Sequence, residues 1–298
     1  MTALTPIATA PTQHNRRIMA GLLGRGILES RTPWMHEQEA DAQGLRMVYS
    51  LQDFTARGWS DEELPAVVDA AQRLGFSGLN ITFPFKQAVL PLLDDLSDSA
   101  RAIGAVNTIA FQDGRRIGHN TDVSGFASGF QDGLPGVTKT RVLQLGCGGA
   151  GSATAHALLS TLGAGHLALF DTDAGKAQAL RDQLSAAYGA DRVSIVADAA
   201  TAARDVDGIV NASPVGMAKF PGTPMPVSAL ESRHWVAEII YFPLETALLS
   251  AARALGCATV SGQGMAVGQA ADAFAIFTEQ APDRARMAAS FAAFAQQG

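Results

Sequence analysis

The chain has 298 residues, 47% of them hydrophobic and 17% charged, with a formal net charge of −6. That balance excludes a disordered chain and leaves room for two domains, each with its own core. The acidic charge, with no basic stripe interleaved with aromatics, argues against a nucleic-acid partner, and no run approaches the 18 apolar residues of a membrane span.

The first 13 residues carry no charge. They lack a basic start and a sustained apolar run, so they are expected to form a frayed tail and not a signal peptide, with the cytoplasm as the default location. Candidate strands follow at Ile18–Gly24, Met47–Gln52, Gly78–Phe83 and Asn107–Gln112, separated by helices near Thr32–Gln43, Ser60–Leu74 and Gln87–Leu93. Ser60, with Glu63 three residues on, forms a capping-box pattern. The stretch Gln131-Asp132-Gly133-Leu134-Pro135-Gly136 is a turn-rich break. Beyond it a βαβ rhythm continues through Val142–Leu145, His166–Phe170, Val193–Val196, Gly208–Asn211, Trp235–Tyr241 and Ala258–Val260. The alternation predicts an α/β fold of parallel sheets with right-handed crossovers. Two domains are expected: an N-terminal α/β domain over 1–123, and a Rossmann-type parallel-sheet domain over 124–265. The helices from Met265 onward could pack on either; residues 266–298 are assigned to the first.

Val142-Leu143-Gln144-Leu145-Gly146-Cys147-Gly148-Gly149-Ala150-Gly151 reads as a strand, a glycine-rich turn and the start of a helix near Gly149. Gly146, Gly148 and Gly151 fit the dinucleotide spacing G-x-G-x-x-G. The first permits the tight turn, the second lets backbone approach a pyrophosphate, and the third lets helix and strand pack closely. The bland alternative is a tight turn with no ligand. Asp171 ends the next strand about 20 residues past the last glycine, where a ribose 2′-hydroxyl needs an acceptor. A 2′-phosphate beside that carboxylate would cost on the order of 1–4 kcal/mol per charge pair at about 4 Å. No arginine lies in Asp171-Thr172-Asp173-Ala174-Gly175, Lys176 is further into the next helix, and Asp173 suits an N-cap. The expected cofactor is therefore NAD and not NADP. Cys147 and Cys257 make neither a disulfide framework nor a metal site, and the histidines show no ligand spacing, so no metal is expected.

In the first domain, alternation along a strand puts Asn80 and Thr82 on one face and Ile81 and Phe83 on the other. Polar side chains at the C-terminal end of such a strand sit where ligands usually bind. Lys86 follows at once; alone it could be a solvated surface charge. Asn107 could be a turn residue, and Asp122 could simply cap the helix that begins at Val123.

Taken together these residues resemble the shikimate dehydrogenase family from about Gly21 to Phe277. The carrying segments are Ser30-Arg31-Thr32-Pro33, Gly78 to Lys86, Gly104-Ala105-Val106-Asn107-Thr108, Asn120-Thr121-Asp122, the glycine loop, Asn211-Ala212-Ser213-Pro214-Val215-Gly216-Met217, Ile240 to Thr246, and Gly264 to Ala271. The resemblance implies a cleft between a substrate domain and an NAD-binding domain. It implies that Lys86 and Asp122 are the catalytic pair and that Ser30 and Thr32 bind a substrate carboxylate. Asn80, Thr82, Asn107 and Gln269 would bind ring hydroxyls, with Tyr241 near substrate and nicotinamide. The cofactor set it implies is Gly146, Gly148, Gly149, Ala150, Gly151, Asp171, Ser213, Gly264 and Met265. A lysine can move the hydroxyl proton, and a carboxylate beside it orients the ammonium and favours its charged form, which suits a general acid in ketone reduction. Alcohol oxidation is then expected to run better at alkaline pH.

Two departures point to one branch. Biosynthetic members usually use NADP, carry an Asn-Arg-Thr-like segment where this chain has Asp171-Thr172-Asp173, and commonly have serine in place of Thr32. Both features resemble the NAD-dependent quinate/shikimate dehydrogenases, which serve catabolism and whose Ser-Arg-Thr-Pro and Met-His-Glu segments match Ser30 to Glu37. The expected substrate is quinate, shikimate or both. Gly262, Gly264 and Gly268 leave little side chain near Gln269, which keeps open another shikimate-like substrate such as an aminoshikimate. A non-catalytic NAD-responsive protein is the third reading, and the presence of both Lys86 and Asp122 argues against it. Edge strands and terminal helices could support a homodimer.

Overall fold

The structure, a computed structural model, describes residues 17–295; the expected N-terminal tail lies outside the described residues. In chain order the first half forms β1 (Arg17–Gly24), α1 (Thr32–Ala42), β2 (Arg46–Asp53), α2 (Phe54–Arg57), α3 (Leu64–Arg73), β3 (Gly78–Ile81), β4 (Asp95–Leu96), α4 (Asp98–Ile103), β5 (Thr108–Gln112) and β6 (Arg115–His119). The second forms α5 (Asp122–Gly133), β7 (Arg141–Leu145), α6 (Gly149–His156), β8 (His166–Phe170), α7 (Ala174–Tyr188), β9 (Val193–Ile195), α8 (Ala199–Ala202), β10 (Gly208–Asn211), β11 (Trp235–Glu238), α9 (Ala247–Ala254), β12 (Ala258–Val260), α10 (Gln263–Thr278) and α11 (Arg284–Ala295).

Two six-stranded sheets result. The second runs β12-β11-β10-β7-β8-β9 with every pair parallel. Its residues alternate between two buried faces, as a doubly covered sheet requires. Val142, Leu167 and Leu169 pack with Phe126, Leu158 and Leu180 on one side, and Leu143, Leu145 and Ile209 pack with Leu248 and Leu249 on the other. The strand order reverses between β7 and β10, and ligands of such sheets bind beyond the carboxyl ends of the strands at that point.

The first sheet runs β2-β1-β3-β5-β6-β4. It is mixed: β1 pairs parallel with β2 and β3, but β5 runs antiparallel to both β3 and β6. Leu79, Ile81 and Ile109 bury one face against Phe54, Val68 and Phe85, while Ile18, Ala20 and Leu22 bury the other against Phe274, Phe277 and Phe291. The terminal helices α10 and α11 thus cover the first sheet. Two glycines on each of α5 and α10 let these helices touch. A Cβ on Gly129 would lie 2.6 Å from the carbonyl carbon of Gly264, and one on Gly268 would lie 2.8 Å from Gly125 Cα.

Several expected elements differ. The strand from Gly78 stops at Ile81, because Thr82 to Val89 turn repeatedly around Pro84; Phe83 therefore leaves the face of buried Ile81 and is exposed. The helix expected near Gln87–Leu93 is a series of turns closed by a 3-10 segment at Leu90–Leu92 that includes Pro91. The helix expected from Ser60 starts with a 3-10 turn at Asp61–Glu63, although Ser60 N does donate to Glu63 Oε2 at 2.8 Å. The strand from Trp235 ends at Glu238. The sequence reading missed β4, α4 and β6, and with them the antiparallel part of the first sheet. No described helix is long and apolar enough to cross a membrane.

Candidate active site

The C-terminal end of β3, the turns after it, the N-termini of α1 and α5, and α10 meet the glycine end of the second sheet around a cleft of about 220 Å³. Ser30, Thr32, Asn80, Thr82, Lys86 and Asn107 line it from the first sheet, and Asp122 and Gln269 from α5 and α10. Ala150, Tyr241 and Met265 complete the expected residues that face it.

Lys86 reaches the cleft because the turns after Pro84 project it inward, where its carbonyl accepts from Val106 N at 2.8 Å. Its Nζ donates to Asp122 Oδ2 at 2.5 Å, with the lysine side chain 26% exposed and the aspartate 9%. Asp122 is the first residue of α5 and does not cap it; its carboxylate turns to Lys86, while Asn120 Oδ1 accepts from Asp122 N at 3.1 Å. A solvated surface charge and a helix cap are thereby replaced by a mostly buried ion pair at the head of a helix, a position that favours negative charge. Ser30 Oγ and Thr32 Oγ1 lie 3.1 Å apart at the start of α1. Tyr241 is 49% exposed because it faces the open cleft, yet the surrounding protein desolvates its phenol and raises its pKa against the lowering influence of Lys86 and Arg31.

The glycine loop has the geometry a pyrophosphate requires. Gly146 sits at φ +101°, and a Cβ there would meet Ser213 N at 2.6 Å. A Cβ on Gly151 would meet Gly146 O at 2.3 Å, whereas one on Gly148 or Gly149 would enter open space in front of α6. The chain therefore fits a dinucleotide phosphate at this helix N-terminus. Gln144, an unexpected buried amide, braces the turn by donating to Gly146 O and Gly151 O at 3.0 and 2.8 Å. Asp171 has a structural task too: Oδ2 accepts from Cys147 N at 2.7 Å and Oδ1 from Asp173 N at 2.9 Å, which leaves each oxygen one acceptor direction. Asp173 caps α7 through Gly175 N and Lys176 N. Ser213 gives its hydroxyl proton to Asn211 Oδ1 at 2.6 Å, so it meets the loop chiefly through backbone beside Gly146. Gly146, Gly148, Gly149, Gly151, Asp171, Ser213 and Gly264 do not line this cleft.

Cleft residues that the sequence reading missed include Arg31 and Phe291. The guanidinium of Arg31 stacks 5.0 Å from the Phe291 ring, and Phe291 meets Tyr241 edge-on at 6.0 Å. A phenylalanine in a terminal helix carries no sequence signal for a cleft.

Comparison with known proteins gives concordant matches. The family model described as the shikimate dehydrogenase substrate binding domain matches residues 22–109. A shikimate dehydrogenase (NADP(+)) from Streptomyces avermitilis is 52% identical, covering 93% of this chain and 96% of its own. A quinate/shikimate dehydrogenase (NAD(+)) from Corynebacterium glutamicum strain R is 49% identical, covering 93% and 99%. This chain belongs to the shikimate dehydrogenase family. Among solved structures, quinate dehydrogenase from Corynebacterium glutamicum in complex with NAD superposes with a TM-score of 0.88 at 47% identity, covering 94% of this chain and 99% of that one. As in that family, an α/β sheet domain and a Rossmann-type sheet flank the cleft. The family match runs from the last residues of β1 to the start of β5, and includes Asn80, Lys86 and Asn107. The glycines near Gln269 have a packing cause: Gly264 and Gly268 meet α5 backbone, and a Cβ on Gly262 would meet Ile239 O at 2.1 Å. Their small size reports close backbone contact, with α5 for Gly264 and Gly268 and with the segment after β11 for Gly262, and gives no support to an unusual substrate pocket.

Proposed function

We propose that this protein is an NAD-dependent dehydrogenase that reversibly oxidises the 3-hydroxyl of quinate, shikimate or both to the 3-dehydro ketone. The observation that carries the reading is the Lys86 Nζ–Asp122 Oδ2 pair at 2.5 Å on the cleft wall. In oxidation the neutral Lys86 amine takes the hydroxyl proton as the C–H bond breaks; in reduction the ammonium returns it to the carbonyl oxygen. The nicotinamide, when bound, accepts or supplies the hydride. Asp122 holds the amine at the reacting oxygen and balances its charge. Ser30 and Thr32 would receive the substrate carboxylate, Asn80, Thr82, Asn107 and Gln269 the ring hydroxyls, and Tyr241, on the cleft wall, would lie near substrate and nicotinamide. Gly146 to Gly151 would hold the nucleotide, with Ser213, Gly264 and Met265 beside it.

Relatives of similar identity carry NAD and NADP in their names, so the preference for NAD rests on Asp171. Its carboxylate has acceptor directions left for a ribose hydroxyl and would repel a 2′-phosphate. The division at 123/124 and 265/266 is part of the same reading: it falls in the first turn of α5 and of α10, so that the rest of α5 opens the nucleotide domain and the rest of α10, with α11, closes the substrate domain. The test is Lys86→Ala together with the pH profile of the intact enzyme. The variant should lose 10²–10⁴-fold in kcat, the usual span for a positioned acid–base group, with dinucleotide affinity retained. Alcohol oxidation should rise toward alkaline pH, and a flat profile contradicts the role of Lys86.

A further inference from the structure

Resting on that reading of the cleft as a polyol site, we propose that Tyr49, Thr108 and Thr121 form a polarity relay that fixes Asn80 as an acceptor and Asn107 as a donor toward the substrate's ring hydroxyls. None of the three lines the cleft; they are positioning residues.

The relay starts at a group with one possible polarity. Thr121 N, the amide before Asp122, can only donate, and it donates to Asn107 Oδ1 at 2.8 Å. That fixes the Asn107 amide, whose Nδ2 then donates to Thr121 Oγ1 at 3.0 Å, and the Thr121 hydroxyl hands its proton to Gln269 O on α10 at 3.1 Å. Thr108 Oγ1 lies 3.1 Å from Asn107 Oδ1 and must donate to it, because a carbonyl oxygen cannot. With its one proton committed, Thr108 Oγ1 can only accept at its 2.9 Å contact with Asn80, so the nitrogen of that amide faces it. The Asn80 oxygen is thereby turned to Tyr49, whose hydroxyl donates at 2.6 Å. Amide orientation is ordinarily ambiguous; here the Thr121 N–H settles Asn107, and Asn80 is settled both through Thr108 and by the backbone carbonyl of Asn107, which can only accept.

The remaining capacity follows by counting donors and acceptors. Asn80 Nδ2 gives its two protons to Thr108 Oγ1 and to Asn107 O at 3.3 Å, which leaves one lone pair on Oδ1. Asn107 Oδ1 is filled by Thr121 N and Thr108, which leaves one proton on Nδ2. The cleft therefore offers an acceptor on β3 and a donor at the residue before β5. A hydroxyl satisfies either, an ether or ketone oxygen cannot donate to Asn80, and an ammonium group cannot accept from Asn107. The outer end of the relay is rigid. Tyr49 is buried and stacked on His36 with ring centroids 4.6 Å apart, and burial holds the imidazole down to about 3 and the phenol well above its ordinary range, so neither changes charge near neutrality.

The test uses the full chain with shikimate and NAD and the variants Thr108→Val, Thr108→Ser and Tyr49→Phe, each checked for folding by its melting transition. Thr108→Val breaks the relay at its centre and should raise KM for shikimate about tenfold, the equivalent of one lost hydrogen bond, with KM for NAD unchanged and kcat within a few-fold. Thr108→Ser restores the hydroxyl and should recover the wild-type KM. Tyr49→Phe, which deletes one oxygen, should raise KM in the same direction and keeps the test available should Thr108→Val not fold. An unchanged KM in folded Tyr49→Phe, or a Thr108→Ser variant as impaired as Thr108→Val, overturns the relay. A wild-type enzyme inactive on both shikimate and quinate overturns the functional reading itself, a separate outcome.

Discussion

Glu238 ends β11, is only 2% exposed, and meets Asn211, whose Nδ2 also donates to Val215 O at 2.9 Å. Burial pushes its carboxyl up to about 7 from an ordinary 4.5, although Asn211 Nδ2 and Thr246 Oγ1, each at 3.1 Å, and Ile240 N at 3.4 Å pull it down. Between those two values the folded chain holds a proton that the unfolded chain releases. Glu238 is therefore least harmful to folding below pH 4.5, and its effect becomes progressively unfavourable as pH rises through 7. At 1.36 kcal/mol per pH unit the full effect is roughly 3 kcal/mol. Glu238→Gln removes the titration. Its carbonyl can still accept from Asn211 and Thr246, but its amide nitrogen would face Ile240 N, a fixed cost of about 1 kcal/mol at every pH. The variant should be slightly less stable than wild type at pH 4.5 and about 2 kcal/mol more stable at pH 8. With about 2–4 °C per kcal/mol for chains of this general size, the difference in Tm should change sign and move by roughly 6 °C or more. Thermal unfolding of both proteins at pH 4.5, 6.5 and 8 and constant ionic strength measures it. A Tm difference independent of pH refutes the assignment of a neutral, buried Glu238.

Asp171→Asn keeps the side chain's shape and removes its charge; the ratio of kcat/KM with NAD to that with NADP should fall by about tenfold or more, in line with one charge pair near the surface. Gly129→Ala places a Cβ 2.6 Å from Gly264 backbone, with another helix and no flexible side chain to yield. Unfolding measurements should show a loss of about 1–3 kcal/mol, although alanine is the better helix former. Gly148→Ala should behave in the opposite way. Its Cβ meets no protein atom within 4 Å, so Tm should stay near wild type while calorimetry shows weakened NAD binding, because the methyl enters the path of the pyrophosphate.

The glycine loop was legible in the sequence because its constraints act on the backbone: a positive φ at Gly146 and the contact between Gly151 and Gly146 O admit no side chain, whatever surrounds them. The polar residues of the cleft were legible as an ordered set, and they converge on one cavity. Asp122 shows what single residues cannot convey. A cap and an ion-pair partner require the same side chain at the same place in a helix, and only the approach of Lys86 from a turn 36 residues earlier separates them. The β4 and β6 strands escaped notice because a two-residue strand has no period and Arg115–His119 has a single large apolar residue, Ile117, and so no apolar alternation. Gly264 and Gly268 read as an emptied pocket when they are one side of a helix crossing. Tyr49 and Thr108 sit in strands whose pattern reads simply as core, and their role emerges only from contacts between β2, β3 and β5.

The most direct test of the central claim is the initial rate of the purified chain on quinate and on shikimate, each with NAD and with NADP. Rapid reduction of NAD with at least one of the two acids, and much slower reduction of NADP, is the predicted result. Preference for NADP would contradict the reading of Asp171, and no turnover of either acid with either dinucleotide would contradict the assignment of the cleft to these substrates.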